Sequence, residues 1–261
     1  MAVGGTNGAV ELWNVETRQR KVTYQVPGGK VRALKFSPKD TLFLANCGSV
    51  VDRKWKGTVT VLNLTTGQPQ GRFEDSELSA WAFSPDETLL ATPLDDYCIT
   101  VRHLATQKTL AHLKAHTWKI SALAFSPNGK HFLSASIDNT VRLWDTTSWK
   151  ELDLLRGHMG GVTAAAVSFD GKFLATGSID DALKLWDLSS IPAQELLSLR
   201  TAPHQPESVL LSPDSSVLPL NATSENTGLR VVLLLRAPSF AEIDAREKAK
   251  RQERTTVSGN N

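Results

Sequence analysis

The sequence predicts an all-β chain: a β-propeller of four-stranded antiparallel blades, about five of them complete and one partial, followed by a short C-terminal helix. Three observations carry this expectation. Two short phrases recur along the 261 residues on one period. The segments between them alternate, or run apolar, in pieces of strand length. Turn-forming residues stand at fixed places between those pieces.

The first phrase is Val141-Arg142-Leu143-Trp144-Asp145, with near-copies at Val10-Glu11-Leu12-Trp13-Asn14 and Leu183-Lys184-Leu185-Trp186-Asp187. Weaker echoes put Leu62, Leu104 and Leu235 at the Trp position, so the markers step by 49, 42, 40, 42 and 49 residues. The second phrase begins at Phe36, Phe83, Phe125, Val167 and Leu211, stepping by 47, 42, 42 and 44. Two independent markers in phase describe a repeat array.

Within a repeat, alternation in Val31-Arg32-Ala33-Leu34-Lys35-Phe36 gives one strand and a Ser-Pro-Asp-Gly-type turn follows. An apolar run such as His131–Ser136 gives the next. Asp138-Asn139, Asp180-Asp181 and Asn7-Gly8 fill the second turn; these residues tolerate positive φ. The Trp phrase is then a third strand, and a shorter piece such as Lys108–Leu113 precedes the first. Four strands per repeat imply one sheet per repeat, stacked as blades about an axis. The divisions are a partial blade at 1–15, blades at 16–64, 65–104, 105–145, 146–188 and 189–236, and a charged tail at 237–261.

Composition narrows the function. Lys plus Arg number 29 against 27 Asp plus Glu, a net charge of +2, so no overall field draws in nucleic acid or an anionic membrane. No uninterrupted apolar run is long enough for a membrane-spanning helix. Cys47 and Cys98 are too few for a disulfide framework and read as free thiols in a reducing compartment, with a cytoplasmic location expected. Gly28-Gly29-Lys30 lacks the remainder of a phosphate loop, and no Gly-x-Ser-x-Gly elbow occurs. His112 and His116 fall in a strand and a loop, not on one helix face. No catalytic residue, metal or cofactor is expected.

These phrases resemble the WD-repeat propellers over roughly residues 1–236, most closely at 105–188. There Lys114-Ala115-His116, Ser136–Thr140 and Leu143-Trp144-Asp145 follow the family pattern, and Arg156-Gly157-His158, Ser178–Asp181 and Leu185-Trp186-Asp187 repeat it. The resemblance implies a buried hydrogen-bonded chain in each blade. In one blade it joins His116, Asp138, Ser134 or Ser136, and Trp144; in the next, His158, Asp180, Ser178 or Thr176, and Trp186. It also implies a chain that is the C-terminal part of a longer, seven-bladed ring. In the tail, Ser239 and Glu242 have capping-box spacing, and Glu247 and Arg251 stand at helix spacing. The segment Leu235–Ile243 looks like the ending of bacterial WD-repeat proteins, many of which carry a serine/threonine kinase domain upstream.

The function expected is a non-catalytic scaffold that presents loops to a protein or peptide partner, with no nucleic acid or membrane involved. The alternative is a sensor or substrate-docking part of a larger bacterial signalling protein. The resemblance places partners on the loops leading into the first strands and on the turns between second and third strands. That singles out Trp118, Lys119, Lys30, Glu77 and Met159 in the loops, with Ile137 and Ile179 at the turns. Trp55 joins them from Ser49–Lys56, the segment in which the first full repeat carries its excess of seven residues, an insertion on a turn.

Overall fold

A computed structural model describes residues 1–51, 54–75, 80–94, 97–202, 204–211, 217–224 and 230–236. The predicted helix at 237–261 and the loop residue Glu77 lie outside the described residues. The described part is built of antiparallel sheets, which we number I to VI in chain order.

Sheet I holds β1 (Ala2–Gly4), β2 (Ala9–Trp13) and β3 (Arg20–Gln25). Sheet II holds β4 (Val31–Phe36), β5 (Leu42–Val51), β6 (Lys54–Asn63) and β7 (Pro69–Asp75). Sheet III is β8 (Ala82–Phe83), β9 (Leu89–Pro93), β10 (Ile99–His103) and β11 (Thr109–Leu113). Sheet IV is β12 (Ile120–Phe125), β13 (His131–Ser136), β14 (Thr140–Asp145) and β15 (Glu151–Arg156). Sheet V is β16 (Val162–Val167), β17 (Phe173–Ser178), β18 (Ala182–Asp187) and β19 (Gln194–Arg200). Sheet VI is β20 (His204–Val209), β21 (Val217–Ser224) and β22 (Arg230–Arg236).

Sheets and sequence repeats are out of phase by one strand. Thr109–Leu113, which opens a repeat, pairs with Ile99–His103 at the end of the repeat before it. The reason is local: Leu104–Lys108 is a short link that folds the chain back as a hairpin, whereas the longer stretch after Leu113 crosses to the next sheet. The excess at Ser49–Lys56 is an extension of the β5–β6 hairpin, with Gly48 opposite Gly57 and Val51 opposite Lys54.

The Ser-x-Asx turns lock themselves. In the β12–β13 turn the Ser126 hydroxyl donates to Asn128 Oδ1 at 2.7 Å and accepts the His131 amide at 2.9 Å. Ser168 does the same with Asp170 and Phe173. At the second turn the expected left-handed residues are there: Gly8, Asn139 and Asp181 have φ of 83°, 72° and 58°.

Apolar clusters fill the space between consecutive sheets. Trp144 and Phe132 of sheet IV pack on Ala91, Ile99 and Val101 of sheet III, and Trp186 and Leu174 of sheet V pack on Leu133 and Leu143 of sheet IV. Similar clusters join I to II, II to III and V to VI. The first strands of neighbouring sheets approach one another, β12 meeting β8 and β16, so the sheets radiate from a common side. Face-to-face packing in chain order is the arrangement of propeller blades.

Candidate functional site

The turn between β13 and β14 stands beside the loop that leads into β12, held there by the Ile137 amide donating to the Lys119 carbonyl at 2.9 Å. This brings His116 and Asp138 together. His116 Nδ1 lies 2.8 Å from Asp138 Oδ2, His116 Nε2 lies 2.8 Å from Ser134 Oγ, and the Trp144 indole donates to the same Oγ at 2.9 Å. Chemistry sets the direction. An indole only donates and a carboxylate only accepts, so with a neutral ring the protons run from Trp144 through Ser134 and His116 to Asp138. Sheet V repeats the chain: Trp186 donates to Thr176 Oγ1 at 2.9 Å, His158 Nε2 is 2.8 Å from that oxygen, and Nδ1 is 3.1 Å from Asp180 Oδ2.

Of the two hydroxyls offered at each position, the strands use Ser134 and Thr176. Ser136 and Ser178 sit next to the chain instead. Ser136 donates to the Trp118 carbonyl and accepts the Asp138 amide, each at 3.0 Å, while Ser178 makes the same pair of bonds to Gly160 and Asp180. Both serines therefore brace loop to turn.

Burial alone would raise the Asp138 carboxyl, but hydrogen bonds from His116, Thr140 and the Thr117 amide outweigh it and hold the group far below the usual carboxylate range. Asp180 is lowered too, burial being outweighed by the Met159 amide and His158. Burial pushes the His158 imidazole below its usual value against the pull of Asp180. The hydroxyls are out of reach of a substrate: Ser134 and Thr176 are both 0% exposed. A His–Asp–Ser set this enclosed is a cross-brace, since a nucleophile has to meet its substrate.

The same loops carry their apolar residues outward. Trp118 is 57% exposed, and its ring stacks on Tyr97 of the β9–β10 turn with centroids 6.2 Å apart and planes 7° apart. Met159 is 88% exposed in the loop leading into β16, and Ile179 is 47% exposed at the β17–β18 turn. Ile137, half-buried, abuts Gly161 so closely that a Cβ there would lie 2.8 Å from the isoleucine side chain. Each turn thus touches the loop leading into the next sheet, and Tyr97, Trp118, Ile137, Met159 and Ile179 follow one another along one face. Lys119 is half-buried beside them, and Lys30 is exposed on the corresponding loop of sheet II. Trp55 belongs to the extended hairpin; its side chain lies outside the described residues. Tyr97 carries no repeat marker, and only the meeting of two sheets reveals its role.

Residues 107–145 and 149–187 match the family described as WD domain, G-beta repeat. Two WD repeats are present. Each matched stretch opens close to the outer strand of one sheet and runs through the first three strands of the next, and each contains one complete His–Asp–hydroxyl–Trp chain. WD repeats in general build protein-interaction scaffolds, and proteins that carry them are generally non-catalytic. No curated protein matches the chain.

Proposed function

We propose that this chain is a non-catalytic platform for a protein or peptide partner, and that the partner docks on the face carrying Tyr97, Trp118, Met159 and Ile179. The observation that carries this reading is the stacked Tyr97–Trp118 pair, with Met159 88% exposed on the corresponding loop of the next sheet. A stacked ring has few rotamers left to lose, and buried aromatics dominate the energetics of interfaces. Exposed apolar side chains gathered on one face mark an interaction site more strongly than the same residues scattered. The near-zero net charge favours a partner recognised by apolar contact over a polyanion.

A pull-down with purified protein tests this. Trp118→Ala and Met159→Ala should each lose the bands retained by wild type while melting within about 2–4 °C of it. Phe169→Ala serves as control, since Phe169 is 73% exposed but lies at the β16–β17 turn, on the opposite end of the sheets. Bands lost equally in all three, or kept in all three, would refute the assignment of this face.

A further inference from the structure

Sheet II lacks the buried polar chain, and what stands in its place is space. Register fixes the correspondence: Leu62 pairs with Phe43 as Trp144 pairs with Phe132, and Ala45 faces Thr60 as Ser134 faces Arg142. Pro27 precedes β4 by four residues, as His116 precedes β12. Proline, alanine and leucine therefore occupy the positions of imidazole, hydroxyl and indole. Between sheets I and II lies a cavity of about 360 Å³, bordered by Tyr24, Val26, Pro27, Thr60, Leu62 and Arg72. That volume lies in the range of small-ligand sites, about 300 Å³ and upward.

The lining is graded. Val26 and Leu62 are buried apolar walls, Pro27 and Arg72 stand exposed at the mouth, and Thr60 sits between strands at 3% exposure. The Thr60 hydroxyl has no hydrogen-bond partner among the described residues, an unusual state for a buried polar atom. Thr60 and Arg72 are directly opposite in the β6–β7 ladder and share a face.

Other sheets show what this place normally holds. Two residues before Trp13, Trp186 and Trp144 stands a charge answered from the outer-strand residue opposite the tryptophan: Glu11 by Arg20 at 3.0 Å, Lys184 by Glu195 at 2.7 Å, and Arg142 by Glu151. In sheet II the two corresponding positions are Thr60 and Pro69, both uncharged, and the arginine of the outer strand, Arg72, stands opposite Thr60 instead.

We propose that the cavity between sheets I and II binds a ligand bearing one carboxylate on a short apolar body. The carboxylate accepts from the Arg72 guanidinium and the Thr60 hydroxyl. The apolar body lies against Leu62 and Val26, in the volume left by the absent indole. An acceptor-only, planar group suits two donors set side by side, and an arginine fork meets it with paired N–H groups. A free carboxylic acid and the C-terminus of a chain both offer this chemistry.

Isothermal titration calorimetry with 4-methylpentanoate, its amide, and the tripeptide Gly-Gly-Leu as acid and amide tests the site. The acids should bind at least about tenfold tighter than their amides, since a hydrogen bond to a charged group is lost. Arg72→Met, an exposed change, and Leu62→Trp, which refills the volume, should each abolish the heat while the protein still melts cooperatively. Binding of both acids assigns a chain terminus, and binding of 4-methylpentanoate alone assigns a small free acid; either supports the site. No heat from either acid, equal binding of acid and amide, or an unchanged affinity in Arg72→Met would overturn it, whatever becomes of Leu62→Trp.

Discussion

Sheets II and IV share strand order, register and a fully buried phenylalanine at the same rung, Phe43 in one and Phe132 in the other. Their contents diverge beside that rung. Sheet IV ties its loop, its turn and its two middle strands together with one directed run of hydrogen bonds ending on Asp138. Sheet II does without any of them, lengthens its middle hairpin to ten residues a strand, and keeps a cavity. The ladder and the apolar packing between sheets therefore define the blade. The polar chain is an addition that pins the loop above it.

Removing His116 takes that addition away. His116→Ala leaves the buried Asp138 carboxylate without its ring partner and Ser134 without an acceptor, and should cost about 3 kcal/mol in chemical denaturation. Pro27→Ala at the corresponding place in sheet II should stay within about 1 kcal/mol, its effect coming mainly from the unfolded chain. Equal losses at the two positions would erase the contrast between the sheets.

A smaller effect sharpens it. Trp144→Phe keeps most of the ring packing against sheet III but removes the N–H that Ser134 accepts, and should cost about 1–3 kcal/mol. Leu62→Met, a change of shape at nearly constant volume on an apolar wall, should cost less than about 1.5 kcal/mol. A thermal melt that finds Trp144→Phe as mild as Leu62→Met would mean the indole serves only as bulk.

How much of this was legible before the structure depends on the kind of signal. The strands and the turns between them were, because the Trp phrase and the Ser-x-Asx turn recur in phase and each specifies a local geometry. The sheet each repeat's opening strand joins was not, since that strand pairs back onto the repeat before it. The chain of His116, Asp138 and Trp144 was legible from spacing together with the family resemblance. The choice of Ser134 over Ser136 was not: residues two apart on a strand point to the same face, and only the reach of the His116 loop decides between them. Tyr97 escaped for a different reason. It lies 21 residues from Trp118 and in another sheet, so the stacked pair exists only once sheets III and IV meet. The cavity is visible in the sequence solely as substitutions, Pro27, Ala45 and Leu62, whose joint consequence depends on the three positions converging in space.

The smallest expected effect separates the two sheets that do carry the chain. Asp138 accepts from His116 and the Thr117 amide on one oxygen, and from the Thr140 amide and hydroxyl on the other at 3.1 and 2.6 Å. In sheet V the residue at the Thr140 position is Ala182, so from that position Asp180 receives the amide at 3.0 Å and no hydroxyl. Thr140→Ala makes sheet IV resemble sheet V. It should cost about 1 kcal/mol, because three other donors still hold the carboxylate. The reverse change, Ala182→Thr, should gain about half as much, since the new hydroxyl must give up water on a half-exposed turn before it reaches Asp180. If Ala182→Thr destabilises while Thr140→Ala is neutral, the fourth donor is not what distinguishes the two carboxylates.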